Sequence, residues 1–238
     1  MSLTNESRTA AQRVRALLAA ETGLERPAVE ALLAAAALRE FGRGAAVYPQ
    51  GTHRGAVFIV VAGVVSMSVV LPNGQRILCA LNRPGALFGF PLVEGERPRW
   101  SAADAFTPAT VAAVPRREFE RVILALPPAT IVRFFNRVLE RQARFSMRLV
   151  HCVALDLRGR LALTLADLAL AFGVAGGDGL HIDLPITHEN LAEMVGASRE
   201  RITKAMAQLR AAKLIRGARQ TVVVTNLAGL QAAATPGA

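Results

Sequence analysis

The segment from Ile186 to Leu209 reads ITHENLAEMVGASRERITKAMAQL, and its polar residues are spaced for recognition rather than bond making. Ser198 is an N-cap residue opening a helix in which Ile202, Met206 and Leu209 recur at spacings of four and three. Those apolar residues share an inner face, so Glu200, Thr203 and Lys204 point outward and Arg199 stands on the first turn. A guanidinium forks onto guanine O6 and N7 and a carboxylate accepts from the cytosine amino group, each good pairing discriminating by about 1–3 kcal/mol. That chemistry reads base edges in a DNA major groove, where the first turns of a recognition helix lie. A solvated charged face is the plainer alternative. Against it stands the coincidence of turn glycine, cap, inner face and outward Arg-Glu pair.

The surrounding elements are those needed to present such a helix. Thr187 caps a preceding helix that runs through Val195, Leu191 and Val195 face the inner stripe of the next, and Gly196 makes the turn. Beyond it, Leu214-Ile215 and Thr221 to Thr225 read as strands about a basic turn, Arg216 to Gln220, which completes a winged helix-turn-helix. Arg199, Arg201, Lys204, Arg210, Lys213, Arg216 and Arg219 crowd residues 199–219, where Glu200 is the sole acid. The formal charge of +10 has the same sign, as a polyanionic partner requires. Upstream, a helix over about 156–172 ends at Gly173, GVAGGDG reads as a connector, and His181 to Pro185 as a short strand.

The first half is built differently. Helices are expected over Ala10 to Ala20 and Arg26 to Leu38, and from Ala45 short Val-, Ile- and Phe-rich runs alternate with glycine turns. This is the pattern of antiparallel strands in a small barrel or sandwich, with Asn73-Gly74 as a hairpin turn. After Pro127-Pro128 the period changes to a heptad seam of Ile131, Phe135, Val138, Gln142, Phe145, Leu149 and Cys152. Such a seam serves either a second copy of the chain or the helix's own barrel; its narrow aromatic character favours the second copy. The remaining arginines, Arg133, Arg137, Arg141, Arg144 and Arg148, lie off it. The domains expected are 1–127, 128–155 and 156–238, in an α+β chain.

Composition narrows the function classes. With 238 residues and 52% hydrophobic content the chain can bury substantial cores, yet Gly63 and Ser66 interrupt its longest apolar stretch. Neither a membrane span nor a signal peptide is read, so a cytoplasmic protein is expected. Cys79 and Cys152, far apart, make no disulfide framework or thiolate metal set and read as buried bystanders. No P-loop, HExxH, paired CxxC or nucleophile elbow occurs, and no enzyme is expected.

These pieces together resemble the CRP/FNR family, named for the cyclic-AMP receptor protein and the fumarate-nitrate reduction regulator. The carrying segments are YPQGTHRGAVFIVVAGVV, LPNGQRILCALNRPGALFG, LDLRGRLALTLADLA, the helix-turn-helix above and LIRGARQTVVV, over about Leu38 to Val224. The resemblance implies an N-terminal double-stranded β-roll of the jelly-roll-like, cyclic-nucleotide-binding type, a long dimerisation helix and a C-terminal winged helix-turn-helix. Its implied partners are double-stranded DNA, a second copy of the chain and, for an activator, RNA polymerase. It implies that Arg199 and Glu200 read G and C of a TGTGA-like half-site. Lys204 stands where the family usually has arginine, Thr187 and His188 would meet the DNA backbone, and Ser198, Arg201 and Thr203 flank the reading residues.

The effector pocket departs from the family pattern. Where cyclic-nucleotide binders carry a ribose-binding glutamate and an Arg-Ser pair for the phosphate, GALFGFPLVEGERPRWSAADA has Phe90, then Arg99 and Trp100. On the long helix the base-facing pair is Phe145-Ser146. A cyclic nucleotide would lose its carboxylate and serine partners, which speaks against cyclic AMP bound in the usual way. Phe90, Pro91, Trp100 and Phe145 either fill the space or line it for an apolar ligand or haem, for which Cys79 is the candidate axial ligand. The N-terminal cysteine cluster of the family's iron-sulfur sensors is absent from the sequence. The alternative function is a small-ligand sensor acting mainly through protein partners.

Overall fold

The computed structural model describes residues 5–53, 55–89, 98–217 and 221–234, with side chains from residue 12 onward. Phe90, Pro91, Arg219 and Gln220, singled out above, lie outside the described residues. The chain separates into two units, Met1–Ala143 and Arg144–Ala238.

The first unit opens with α1 (Asn5–Thr22) and α2 (Arg26–Ala34), the latter with proline in its first turn. The second helix was expected to reach Leu38 but stops at Ala34, because the next backbone is claimed by a sheet: β1 (Ala37–Phe41) pairs antiparallel with β8 (Ala109–Pro115) from Ala37↔Ala113 to Phe41↔Ala109. The intervening strands are β2 (Ala46–Tyr48), β3 (Ala56–Ala62), β4 (Val65–Val70), β5 (Arg76–Asn82), β6 (Leu87–Phe88) and β7 (Ala102–Ala105). They form two four-stranded sheets, ordered β1-β8-β3-β6 and β2-β7-β4-β5. Asn73-Gly74 does turn the chain between β4 and β5, with Asn73 Oδ1 accepting from Gln75 N at 3.0 Å. Between the sheets lie Tyr48, Phe58, Val60, Met67, Phe88 and Ala103.

A short helix that the sequence did not announce, α3 (Arg116–Leu124), follows β8, and then the long α4 (Pro128–Ala154), whose residues fall in both units. In the first unit Phe134 is fully buried and Val138 packs partly, against a core that includes Leu18, Val29, Leu32 and Phe119. This sets the rotation of α4 and shifts the expected seam. Ile131 and Val138 are half-buried and Phe135, Gln142, Leu149 and Cys152 are exposed, while Phe145 is half-buried. The exposed face at heptad spacing is therefore Val132, Phe135, Leu139, Gln142, Ser146, Leu149 and Val153, one residue later at alternate positions. Val153 is 91% exposed. Nor do the off-seam arginines all face water, because Arg141 is half-buried with a hydrogen bond to Leu87 O.

In the second unit Asp156 caps α5 (Leu157–Phe172) by accepting from Gly159 N at 2.7 Å. The expected connector GVAGGDG is half of a hairpin instead: β9 (Gly173–Gly176) pairs with β10 (Gly179–Ile182), and ladder bonds give its glycine-rich backbone a place in a sheet. Then come α6 (His188–Val195), α7 (Arg199–Ala211), β11 (Ile215–Arg216), β12 (Val223–Val224) and α8 (Leu227–Ala233), the strands ordered β11-β12-β10-β9. No helix among the described residues is long and apolar enough to cross a membrane. Cys79 is buried as expected, whereas Cys152 is exposed on α4.

Candidate nucleic-acid interface

Capping chemistry fixes both helices of the reading head. Thr187 Oγ1 accepts from Asn190 N at 3.1 Å while Asn190 Oδ1 accepts from Thr187 N at 3.1 Å, a reciprocal capping box at the start of α6. At the other end Gly196 takes φ +68°, a left-handed conformation that favours glycine, and its N–H donates to Ala192 O at 2.9 Å. Only Ala197 then separates this turn from Ser198, whose hydroxyl accepts from Arg201 N at 3.4 Å and starts α7.

The inner face of α7 is Ile202, Ala205, Met206 and Leu209, all buried, with Leu191, Ala192 and Val195 of α6 buried beside it. Opposite them Arg199, Glu200, Arg201, Thr203 and Lys204 are exposed. Among the described residues Arg199, Arg201 and Lys204 donate no side-chain hydrogen bond and form no salt bridge, so their donors are available to an acceptor from outside. The Glu200 carboxyl is held below the ordinary carboxylate range by its own backbone N–H and the Ser198 hydroxyl, with Arg199 adding attraction, so it is ionised at neutral pH and can only accept.

Two residues expected on the DNA backbone have protein partners. His188 Nδ1 lies 3.0 Å from Thr203 Oγ1, and that hydroxyl donates to Arg199 O at 2.9 Å. The Thr187 hydroxyl is occupied by the capping box and Asn190 Oδ1. Burial, aided by Arg210 and Arg199, holds His188 below its ordinary value. Asn190 is the contributor the sequence reading missed; it occupies N3, where a side-chain acceptor signals a capping box. Nearby, Arg216 of β11 pairs with Asp178 Oδ2 at 2.5 Å, and Asp178 Oδ1 with His181 Nε2 at 2.5 Å, which ties the β9-β10 hairpin to the wing.

The residues expected around an effector fall in different units. Arg99 is 5% exposed inside the roll, its Nη1 donating to Gly89 O at 3.1 Å and its Nη2 to Ala56 O at 2.7 Å. Trp100, expected to fill or line the interior, is 53% exposed, because the chain from Arg99 to Ala105 alternates and turns Arg99, Ser101, Ala103 and Ala105 inward. Tyr48, Phe58 and Phe88 instead pack together in the core of the roll, with ring centroids 5.2 to 6.2 Å apart. Phe145 and Ser146 belong to the second unit. Among the described residues no cluster of His, Cys, Asp and Glu is suited to a metal ion.

Comparison with known proteins agrees with both units. Residues 38–125 match the cyclic nucleotide-binding domain family and residues 159–233 the Crp-like helix-turn-helix domain. The chain is 30% identical over 191 residues to the global nitrogen regulator of Synechococcus elongatus, covering 79% of this chain and 86% of that one. It is 29% identical over 205 residues to a CRP-like cAMP-activated global transcriptional regulator of Mycobacterium tuberculosis, covering 86% and 91%. The crystal structure of a CRP-family transcriptional regulator from Thermus thermophilus superposes with a TM-score of 0.68 at 26% identity, covering 82% of this chain and 96% of that one.

Proposed function

Because this chain belongs to the CRP/FNR family of DNA-binding transcription regulators, we propose that it acts as a homodimer whose two α7 helices read a near-palindromic, TGTGA-like site. The observation that carries this reading is the outer face of α7, where Arg199, Glu200 and Lys204 stand exposed on a helix anchored by Ile202, Met206 and Leu209. Arg199 is assigned to guanine O6 and N7, and Glu200 to the cytosine amino group. Lys204 is a point charge without a fork, so the base step it faces is read more loosely than an arginine would read it. Ser198, Arg201, Thr203, Thr187 and His188 flank these contacts; Arg201 supplies the free donors toward phosphate, and His188 meets phosphate once protonated.

The exposed apolar face of α4 supports the dimer. Phe135, Leu139, Leu149 and Val153 have large exposed surfaces at heptad spacing, and pairing two copies along them buries that area. A two-fold pair sets the reading heads about 34 Å apart, one helical turn of DNA. RNA polymerase is the further partner wherever the bound site is positioned for activation. The packed Tyr48, Phe58 and Phe88 rings and the hydrogen-bonded Arg99 count against cyclic AMP bound in the usual way. Selection of duplexes from a random pool by the purified protein tests the reading. Enrichment of paired G-containing half-sites one turn apart is expected, and a pool retained without sequence preference contradicts it.

A further inference from the structure

A ligand drives a conformational change only if it binds one arrangement better than another, so a protein whose own side chains already satisfy the active arrangement needs no ligand. In this chain the carbonyls on either side of Phe88 are taken by two arginines from different elements. From inside the roll, Arg99 donates to Gly89 O and Ala56 O, and its guanidinium lies 4.1 Å from the Tyr48 ring centroid and 5.2 Å from that of Phe58. From α4, Arg141 Nη1 donates to Leu87 O at 2.5 Å and Nη2 to Asn82 Oδ1 at 3.1 Å. Asn82 is buried, and its Nδ2 donates in turn to Val65 O at 3.2 Å, so Arg141 reaches through one side chain from α4 to β4.

The backbone is shaped around the first of these contacts. Gly89 has φ +74°, and a Cβ there would come within 2.8 Å of Arg99 Nη1 and 3.0 Å of Phe58 Cδ2. A phosphate that took the Nη1 and Nη2 protons now reaching Gly89 O and Ala56 O would leave those part-buried carbonyls without their donor. An arginine waiting for an anion keeps donors facing an opening; this one already donates to two main-chain carbonyls and lies against two aromatic rings.

We propose that Arg99 and Arg141 together form an internal latch on β6 that stands in for an effector, so that the protein binds its DNA site with no cyclic nucleotide present. Arg141 is a positioning residue: it fixes α4 on the roll, and with it the phase in which the exposed face of α4 meets its partner. The DNA readout rests on the homodimer reading above, whereas amide exchange and calorimetry do not.

The test compares the wild-type chain with Arg141→Ala and Arg141→Lys on a duplex chosen by selection, with and without millimolar cyclic AMP or cyclic GMP. The wild type is expected to bind equally well in each condition, within about twofold, and to give no calorimetric heat with either nucleotide. Arg141→Ala removes charge-assisted bonds to two acceptors on buried residues, so it is expected to lower the melting temperature by a few degrees and, at a temperature where the variant stays folded, to lower DNA affinity by about tenfold or more. It should also speed amide exchange in β6 and in residues 138–143, with partial recovery in Arg141→Lys. A rise of tenfold or more in wild-type affinity with either nucleotide overturns the latch, as does Arg141→Ala binding and exchanging like wild type. If the wild type shows no sequence-selective binding in any condition, the DNA-reading assignment fails; the latch then stands or falls on calorimetry and exchange.

Discussion

His188 and Thr203 join the two helices of the reading head: His188 Nδ1 lies 3.0 Å from Thr203 Oγ1, and the same hydroxyl donates to the carbonyl of Arg199. The residue that opens α6 is thereby bonded to the turn of α7 that begins with the proposed guanine reader. One hydroxyl thus links the start of α6 to the first turn of α7.

Thr203→Val keeps the shape and removes the hydroxyl. The expected cost is about 0.5–1.5 kcal/mol of stability, the usual net worth of a neutral hydrogen bond. Binding to the selected duplex should weaken while base preference is retained, because Thr203 steadies the reader without being it. A chemical melt and a binding titration on matched and mismatched duplexes check both halves.

His188 is expected to make DNA binding by the reading head pH-dependent. Burial, Arg210 and Arg199 hold its pKa below the ordinary 6.5, so the unfolded chain binds more protons and the neutral imidazole is the form that suits the fold. Its contribution to stability is full above 6.5 and is lost as pH falls through the lowered folded value. A DNA phosphate beside the ring acts the other way, favouring the imidazolium, so binding takes up a proton and should strengthen as pH falls from about 7.5 toward about 6. His188→Gln is expected to flatten both profiles; a variant with the wild-type pH dependence would place the titrating group elsewhere.

Lys213 carries φ +57° at the end of α7, with Leu214 N donating to Leu209 O and Lys213 N to Arg210 O, the bonding of a left-handed helix stop. Glycine takes this conformation without strain, whereas a lysine there costs about 1 kcal/mol. Lys213→Gly is expected to raise stability by about 0.5–1 kcal/mol, partly offset by the freedom glycine adds to the unfolded chain. Thermal melting decides the sign.

The rotation of α4 predicts which substitutions dissociate the proposed dimer. Leu139→Glu and Val153→Glu place charge on the exposed face and should give monomers in sedimentation equilibrium, with binding to the paired two-half-site duplex greatly weakened. Val138→Ala trims a residue packed on the first unit's core, so it should cost about 1 kcal/mol of stability and leave the assembly intact. The opposite pattern would restore the phase in which Val138 belongs to the seam.

The reading head was legible because everything that makes it is local. Thr187, Gly196 and Ser198 each act on backbone groups within a few residues, and the spacing of Ile202, Met206 and Leu209 gives the buried face directly. The phase of α4 was not, because Phe135, Gln142 and Leu149 fit both possible seams. What decides between them is long-range: the burial of Phe134, whose ring centroid lies 6.4 Å from that of Phe119. The resemblance puts Trp100 at the pocket, but strand alternation turns Arg99 and Ser101 inward, so the residue between them faces out. GVAGGDG has a linker's composition, and only its pairing with Gly179–Ile182 makes a strand of its first half.

The central claim is that Arg199 reads a guanine. Its most direct test is a cycle of four affinities, wild type and Arg199→Ala on the selected duplex and on the same duplex with that guanine replaced by adenine. The wild type should prefer guanine by about 1–3 kcal/mol, and Arg199→Ala should bind both duplexes equally. If Arg199→Ala weakens binding to both but keeps the preference, base reading belongs to another residue and the account is contradicted.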